Sequence, residues 1–559
     1  MVCEPRDRSG DDAEVTSHRT ADFALIGLLL VVAAIAFAQS YQRWLDPIID
    51  TGRDLYIPEQ ILTHGVKLYR DIRYQYPPLT PYLLAGITAV LGHSLASYTA
   101  IGLLQSLGIA LLLWLIGRRV AGPTGGFVAP MFFIALDFCG ASTWGANFLF
   151  PYSYGATFGM AFLLVALLLF LQERPAAALV PLLAASWCKV EYAAAAALIV
   201  AVLALGRRIS LRQLAAFAAA GAITFGAAVA VFPQMRDNIF AAALTRGATS
   251  ERFFRWVAGI ADWRLNLLDA VLGILGVAAI TALLRRSSPV ALAITLVISV
   301  ALANPAFFRA WGLLQIAALI QGFRERSSPM LTLAIFSIAA TLRVPLNVAP
   351  VWYGFVLILP LYALIAYVLF AYLPQRGVYT ARAALWWIPL IAILCGLELG
   401  QQRVRYSEKR FPIESVRGTF YDVNPDRARV LDQFIRSVHG GTLAVMPEGI
   451  TLNYLTESRT TLSYHTFTPV ETAAPSVENA IIDEVRRRPP QRVAFVTRDV
   501  REFGYRGFGI DYDRHLVSYL IQHYELVHEW AEPRFNLILM QSEPIALRNK
   551  SNIQKVRKY

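Results

Sequence analysis

The chain has 559 residues, of which 56% are hydrophobic and 16% charged, well below the roughly 25% charged residues of an average soluble domain. Its formal net charge is +12, but the Arg residues stand singly or in pairs at the ends of apolar runs. This pattern is typical of the cytoplasmic loops of membrane proteins and argues against a phosphate-binding stripe for nucleic acid. The composition therefore predicts a polytopic α-helical membrane protein.

The N-terminal residues predict a short tail followed by a membrane anchor. Residues 1–20 mix acidic and basic side chains, which predicts a disordered cytoplasmic tail. The apolar run Ala21–Gln39 is longer than the roughly 7–15 residues of a signal-peptide core, so we interpret it as an uncleaved anchor. The four cysteines lie in the tail or in apolar runs, so neither a disulfide framework nor a CxxC metal site is expected.

Hydropathy and the placement of Arg predict about 13 spans, with the N-terminus inside and the C-terminus outside. With this orientation, the Arg groups that follow the spans fall on the cytoplasmic side. The predicted spans after the anchor are Ser97–Ile116, Phe127–Phe138, Tyr154–Leu171, Ala176–Trp187, Ala193–Leu205, Leu214–Phe232, Leu267–Leu284, Val290–Ala303, Leu313–Phe323, Leu331–Leu342, Val351–Tyr372 and Ala384–Leu399. The run Leu79–Leu91 is short for a span, so it is predicted to be an interfacial helix that begins at Pro77–Pro78.

The predicted first outer loop, residues 41–96, contains the most charge-rich and patterned part of the N-terminal half, Trp44–Leu84. Asp50, Arg53 and Asp54 follow the anchor closely and are expected at a membrane surface. Ionisable groups cost roughly 2.5–3.5 kcal/mol each at the bilayer centre and less near the interface, so a cluster of them predicts a functional site.

Asp50 is the leading candidate for a catalytic base. It follows the apolar pair Ile48–Ile49, and partial burial suits a carboxylate to this role. Arg53, three residues on, can position Asp50 or bind an anion. The alternative is that Asp50 only caps a helix starting at residues 51–53.

Lys189 and Glu191 lie between two apolar runs, on the predicted side of Asp50. At a spacing of i,i+2 they do not face each other on one helix, so no mutual salt bridge is expected. Lys189 can hold a phosphate, and Glu191 can orient Lys189 or an acceptor. The alternative is a pair of charges that extend to the interface at an ordinary turn.

Further outer-side residues allow two interpretations each. Arg246 and Arg309 run against the positive-inside pattern, which fits an anionic ligand or contacts to lipid headgroups. Tyr76 belongs to a set of aromatic residues that can form an interfacial belt or a sugar-stacking platform. The other members of that set are Tyr74, Trp144, Tyr152 and Tyr154.

After Gln401 the sequence changes to short β-type runs that alternate with helix-like stretches. This change predicts an extracytoplasmic α/β domain over residues 401–559. The transmembrane domain before it is predicted over residues 21–400. The predicted strands are Gly441–Met446, Arg492–Thr497 and Asn536–Met540, and the predicted helices are Pro425–Val438 and Val477–Arg487. The sequence shows no HExxH spacing, P-loop, GxSxG elbow or dinucleotide fingerprint.

Three motifs together carry a family resemblance: D-x-G-R at Asp50–Arg53, HGVKLYRD at His64–Asp71 and YPPLTPYLL at Tyr76–Leu84. In this order, after a first span, they resemble the polyprenyl-phosphate-sugar-dependent glycosyltransferases of the GT-C fold. Within this class, the sequence most resembles the branch of bacterial relatives of protein O-mannosyltransferases and of the lipid A aminoarabinose transferase. The resemblance implies a GT-C-like transmembrane domain.

The resemblance also implies roles for individual residues. Asp50 matches the proposed catalytic base and Arg53 the Arg of the motif, while Lys189 is similar by position to a Lys that contacts the lipid phosphate. Thr51 stands where many members have a second acidic residue, so no metal ligand is assigned, no cofactor is certain and a divalent metal stays open. The expected donor-phosphate residues are Arg53, Lys189, Arg246 and Arg309, and the expected supporting or acceptor residues are Asp54, Glu191 and Tyr76.

The implied activity is inverting transfer of a sugar from a polyprenyl-phosphate donor to an acceptor hydroxyl on a glycan, lipid or protein. The expected location of the active site is the outer face of a bacterial cytoplasmic membrane. Membrane lipid is an expected partner, and nucleic acid is not. Two other interpretations remain: a secondary transporter or flippase of a lipid-linked sugar, and a membrane-anchored scaffold whose outer domain binds a partner.

Overall fold

The computed structural model describes residues 9–49, 51–141, 147–244, 311–342 and 358–542, with a few positions between 275 and 285. Within these residues, five helices are long and apolar enough to cross a membrane: Asp22–Ser40, Leu95–Phe138, Tyr154–Leu171, Leu211–Val231 and Ala381–Glu408. Shorter apolar helices accompany them. A helical membrane protein fits these features, while the number of spans and their orientation stay predictions.

The N-terminal part of the described chain is built mainly from helices with the following bounds. They are α1 (Ser9–Ser40), α2 (Gly52–His64), α3 (Leu79–Leu91), α4 (Leu95–Phe133, continued by a π-helical turn Ile134–Phe138), α5 (Tyr154–Leu171), α6 (Pro175–Ser186), α7 (Val190–Leu205), α8 (Leu211–Val231), α9 (Met235–Leu244), α10 (Trp311–Arg324), α11 (Ser328–Thr341), α12 (Leu359–Tyr367) and α13 (Trp387–Glu408). Short helical turns cover Val368–Tyr372, Leu373–Gln375 and Ala381–Ala384. The predicted span Val290–Ala303 lies outside the described residues.

One expectation from the sequence is corrected by these helix bounds. Helix α1 begins at Ser9, so the predicted disordered tail over residues 1–20 is partly helical. The predicted spans Ser97–Ile116 and Phe127–Phe138 fall on the two helical arms of α4, which lie on either side of a sharp kink at Ala121–Gly122. Gly122 has φ +67°, which L side chains rarely adopt, and a Cβ at Gly117 would overlap the Gly125 carbonyl. Glycine thus permits the sharp turn.

Polar contacts join three helix ends at one end of the bundle. Arg118, at the turn of α4, forms an ion pair with Asp22 near the start of the apolar part of α1. Arg119 donates from Nε to the carbonyl of Leu171, the last residue of α5, at 2.7 Å. These three ends are the ones that the Arg pattern assigns to the cytoplasm.

Helix α8 presents apolar side chains outward along its whole length. None of its residues is buried within the described part of the chain, and Ile223, Phe225 and Val231 are exposed. A helix that is apolar yet uncovered suits contact with lipid hydrocarbon.

Residues 411–542 form an α/β unit with a four-stranded sheet. Its elements are β1 (Phe411–Ser415), β2 (Gly418–Asp422), α14 (Pro425–Ser437), β3 (Leu443–Met446), α15 (Ile450–Leu455), α16 (Pro475–Arg487), β4 (Arg492–Val496), α17 (Arg514–His523), β5 (Tyr524–Glu532) and β6 (Phe535–Ser542). The sheet order is β3-β4-β6-β5, with β3 and β4 parallel and the other pairs antiparallel, and β1 and β2 form a separate hairpin.

Both faces of this sheet are buried. Val445 packs into the cluster that contains α14, whereas its neighbour Met446 packs into the cluster that contains α16 and α17. Successive strand residues point to opposite faces, so this division gives a helix–sheet–helix sandwich. The α14 face also joins Trp44, Ile48 and Tyr56 in one apolar cluster, which docks the unit on the first outer loop.

Gly52 is the point of closest approach between α2 and α15. A Cβ at Gly52 would lie 2.8 Å from the backbone nitrogen of Thr451 and still closer to its hydroxyl. We expect Gly52→Ala to cost about 1–3 kcal/mol of docking free energy, because the backbones must move apart. The measurement is limited proteolysis together with thermal unfolding of the purified protein. Gly86→Ala is the control, because a Cβ at Gly86 has no atom within 4 Å. Equal melting temperatures for wild type, Gly52→Ala and Gly86→Ala would contradict the prediction.

Asp513, at the start of α17, gives the α/β unit a pH-dependent stability. Burial raises the pKa of Asp513 from 3.8 to about 7, against the hydrogen bond from Thr472, and Glu478 raises it further. Between pH 4 and 7 the folded carboxyl holds a proton that the unfolded chain has lost, so stability falls as pH rises through this interval. We expect Asp513→Asn to melt about 2–4 °C above wild type at pH 8. At pH 4 this advantage should disappear, and an equal gain at both pH values would contradict the assignment.

Candidate active site

The turn that enters α2 is fixed on both sides by tertiary contacts. Thr51 has φ +60° and its hydroxyl donates to the Pro151 carbonyl at 2.8 Å, while Gly52 abuts Thr451. Asp50, the predicted base, directly precedes this turn and lies outside the described residues. Its neighbour Thr51, rather than Asp50, holds the N-cap position of α2, and its side chain makes no capping hydrogen bond.

Asp54 lies in the first turn of α2 and is only 4% exposed. Its Oδ2 accepts the backbone N–H of Tyr154 at 2.7 Å, at the start of α5. Burial raises the pKa of Asp54 above its ordinary value, and Arg53, the Tyr154 N–H and Lys189 oppose that rise. Asp54 therefore ties the first turns of two helices together beside two cations.

Arg53 is held against two tyrosine rings. Its guanidinium carbon lies 4.7 Å from the centre of the Tyr76 ring and 6.0 Å from that of Tyr74. Burial opposes its charge, but Tyr76, Tyr152 and Asp54 outweigh this and raise the pKa of Arg53 above its ordinary value. Its Nε is buried and has no hydrogen-bond partner within the described ranges. The Arg53 guanidinium is therefore charged and has an N–H that can donate to a further anionic or polar ligand.

Lys189 reaches the same tyrosine from a different part of the chain. It is the N-cap of α7, is 1% exposed, and its Nζ lies 4.7 Å from the centre of the Tyr76 ring. Gly155 makes room for it, because a Cβ there would lie 3.3 Å from Lys189 Cγ. The adjoining Trp187 carbonyl accepts the N–H of Leu79 at 3.2 Å, which fixes the α6–α7 turn on the start of α3.

The expectation that Lys189 and Glu191 do not pair is wrong. Lys189 Nζ lies 3.3 Å from Glu191 Oε1. The i,i+2 rule applies within a helix, but Lys189 precedes α7 in an extended conformation, with φ −153° and ψ 152°. Its side chain can therefore fold back over the first turn of the helix.

Tyr76 is the centre of this arrangement. The Arg53 guanidinium and the Lys189 ammonium both contact its ring, so one buried aromatic side chain joins two predicted phosphate-binding cations. The interpretation of these aromatic residues as an interfacial belt is wrong for Tyr74, Tyr76 and Tyr154, which are buried. Trp144, Arg246 and Arg309 lie outside the described residues.

The α/β unit contributes three further polar residues that the sequence analysis missed. Glu448 pairs with Arg498 at 2.8 Å, and both are largely buried. His465 is 8% exposed, and burial together with Arg53 lowers its pKa to about 3. Burial raises the pKa of Glu448 above its ordinary value, against the opposing effects of Arg498 and, to a smaller extent, Arg53. No motif in the sequence marks these residues, because about 400 positions separate them from Arg53.

The described residues offer no complete set of metal ligands. In those parts of the chain, no group of three or more His, Cys, Asp and Glu side chains could hold a metal ion. Three carboxylates near these cations are engaged: Asp54 accepts the Tyr154 N–H, Glu448 pairs with Arg498, and Glu191 pairs with Lys189.

No protein-family model matches the chain, and no curated protein sequence matches it. Among solved structures, it is similar to the Archaeoglobus fulgidus oligosaccharyltransferase in the apo form, with 12% identity over 90% of this chain and 73% of that chain and a TM-score of 0.48. The complex of that enzyme with Zn and sulfate gives 12% identity over 89% and 71%, with a TM-score of 0.46. ArnT from Cupriavidus metallidurans in the apo state gives 15% identity over 92% and 97%, with a TM-score of 0.45.

These solved proteins are glycosyltransferases of the GT-C fold, the class that the Trp44–Leu84 segment resembles. All three TM-scores are below 0.5, and the function proposed for this chain rests on its own residues.

Proposed function

We propose that the chain is an inverting glycosyltransferase that moves a sugar from a polyprenyl-phosphate donor to an acceptor hydroxyl. The observation that carries this proposal is the pair of cations, Arg53 and Lys189, that meet on the ring of Tyr76 beside the turn after Asp50. A buried pair of this kind suits a phosphate that gains negative charge as it leaves. The reaction takes place on the outer face of a bacterial cytoplasmic membrane.

The donor phosphate binds between Arg53 and Lys189, with its isoprenoid tail among the membrane helices. Arg246 and Arg309 are further candidates for this phosphate. Lys189 is 1% exposed, so its interaction with the phosphate is little screened by water. Glu191 and Asp54 offset part of the positive charge when the donor is absent.

In the chemical step, Asp50 removes the proton from the acceptor hydroxyl. The acceptor oxygen bonds to the anomeric carbon on the face opposite the phosphate, and the bond from that carbon to the phosphate oxygen breaks. The electron pair of that bond leaves with the lipid phosphate, and the anomeric configuration inverts. The donor is already activated, so the step consumes no nucleotide.

The test is transfer of radiolabelled sugar from polyprenyl-phosphate donors by the purified protein in detergent. Release of free sugar is scored alongside transfer, because hydrolysis reports the same bond cleavage when the acceptor is not supplied. We expect the wild type to cleave the donor. Donor binding without cleavage of any donor would instead support the flippase interpretation.

A further inference from the structure

We propose that the α/β unit forms the acceptor side of this active site and that His465 binds the hydroxyl-bearing acceptor. This inference rests on the proposed glycosyl transfer and adds a residue and a role for the outer unit.

The segment that carries His465 is fixed directly on the first outer loop. The backbone N–H of Arg73 donates to the Ser463 carbonyl at 2.9 Å, and the Arg73 guanidinium stacks 4.6 Å from the centre of the Tyr464 ring. Nearby, Gln75 Nε2 donates to Glu471 Oε1 at 2.5 Å. The loop residues 73–76 therefore lie between the α/β unit and the two cations on Tyr76.

The His465 side chain is buried with unused hydrogen-bonding capacity. Its Nδ1 is inaccessible to solvent and has no hydrogen-bond partner in the part of the chain that the structure describes. A buried polar atom without a partner is unfavourable, so a ligand that supplies the missing hydrogen bond binds more tightly. Burial, together with the Arg53 charge, lowers the pKa of His465 and makes an imidazolium unfavourable at this position.

A neutral imidazole has the hydrogen-bonding character that a hydroxyl requires. It carries one donor and one acceptor nitrogen, and a hydroxyl also donates and accepts. Neighbouring groups hold the segment in place, because Glu448 forms a β-bridge with Thr466 and an ion pair with Arg498. His465 is thus a positioned, uncharged partner for an alcohol.

The parts of the chain that contact the Tyr76 loop assign His465 to the acceptor rather than to the lipid phosphate. Lys189 contacts Tyr76 from the α6–α7 turn, whereas the segment of His465 contacts Arg73 and Gln75 of the same loop from the α/β unit. An inverting displacement brings the acceptor in opposite the leaving phosphate. With the phosphate at Lys189 and Arg53, the acceptor enters along the α/β unit.

The experiment compares His465→Ala, His465→Asn and His439→Ala with wild type in the purified full-length protein. The asparagine amide can replace the hydrogen bond made by Nδ1, and His439 is an exposed histidine of the same unit that serves as the control. The donor is radiolabelled polyprenyl-phosphate sugar, and the acceptor probe is a detergent extract of bacterial cell envelopes. Transfer to the extract and hydrolysis without extract are measured separately.

We expect His465→Ala to raise the half-saturating extract concentration about tenfold, because it loses one hydrogen bond to the acceptor. The hydrolysis rate and the KM for the donor should stay within about twofold of wild type. His465→Asn should recover much of the difference, and His439→Ala should match wild type. An equal loss of hydrolysis and transfer in His465→Ala, or an unchanged half-saturation, would overturn the acceptor role. A wild type that neither transfers nor hydrolyses would instead remove the proposed glycosyl transfer itself.

Discussion

The Asp50→Asn variant is expected to fold and insert like wild type and to lose sugar transfer by about 10²–10⁴-fold, the contribution typical of a general base. The neutral amide has the shape of the carboxylate but does not remove a proton from the acceptor. The surrounding turn should tolerate it, because Thr51 bonds to the Pro151 carbonyl and Gly52 packs on Thr451 independently of the Asp50 side chain. Transfer from polyprenyl-phosphate donors and the melting temperature are measured together.

Two further aspartates provide matched comparisons for Asp50→Asn. Asp54→Asn should be milder, because its amide oxygen can still accept the Tyr154 N–H. Asp71→Asn should be silent, because Asp71 pairs with the exposed Arg70 on the loop surface. Retention of wild-type transfer by Asp50→Asn would remove Asp50 as the base, whereas equal losses in Asp50→Asn and Asp54→Asn would point to a structural effect on α2.

The Lys189→Met variant is expected to lose about 10²–10³-fold in transfer rate, the loss typical for removal of one group that stabilises a developing negative charge. Methionine keeps the length and the apolar stem but removes the charge that contacts Tyr76 and faces Glu191. The loss should appear in both transfer and hydrolysis, because both break the bond to the lipid phosphate. This pattern separates Lys189 from His465, for which hydrolysis should be spared.

Two control variants accompany Lys189→Met. Lys67→Met removes a lysine charge elsewhere on the first outer loop, and Lys189→Arg keeps the charge at position 189 but changes the shape of the side chain. Lys67 is an exposed lysine of the first outer loop, so its loss should leave the activity unchanged. Lys189→Arg keeps the charge but must fit a wider group into a space that Gly155 only just provides, so it should retain partial activity. If Lys189→Met cleaved the donor at the wild-type rate, the leaving phosphate would have to be stabilised elsewhere.

The local motifs predicted several members of the candidate site, because each lies in a short and unusual stretch of sequence. Arg53, Asp54 and Tyr76 stand out as polar or aromatic residues of one loop, and Lys189 stands out as a charge between apolar runs. The structure brings Arg53, Tyr76 and Lys189 into contact. The pairing of Lys189 with Glu191 was mispredicted, because the conformation of residue 189 depends on where α7 begins.

The α/β unit was harder to predict from its sequence. Strands β3, β4 and β6 are continuous apolar runs, which burial on both faces requires, and they lie close to the predicted bounds. Strand β5 is an edge strand with a register shift at Leu526/His528, and its mixed composition, YELVHEWAE, gave no strand prediction. The β1–β2 hairpin was not predicted as strands either, because most of its residues are exposed or half-buried.

The sequence by itself determined the helical membrane architecture, because in hydrocarbon every backbone polar group must be bonded within its own segment and an apolar run therefore forms a helix. Helix α5 illustrates this, with observed and predicted bounds both Tyr154–Leu171. Only the tertiary structure decided that the α/β unit reaches the site and that the segment of His465 contacts Arg73 and Gln75 of the first outer loop. Such proximity depends on how two separately folded parts dock, and the contacts that fix the docking are spread over residues that no local pattern connects.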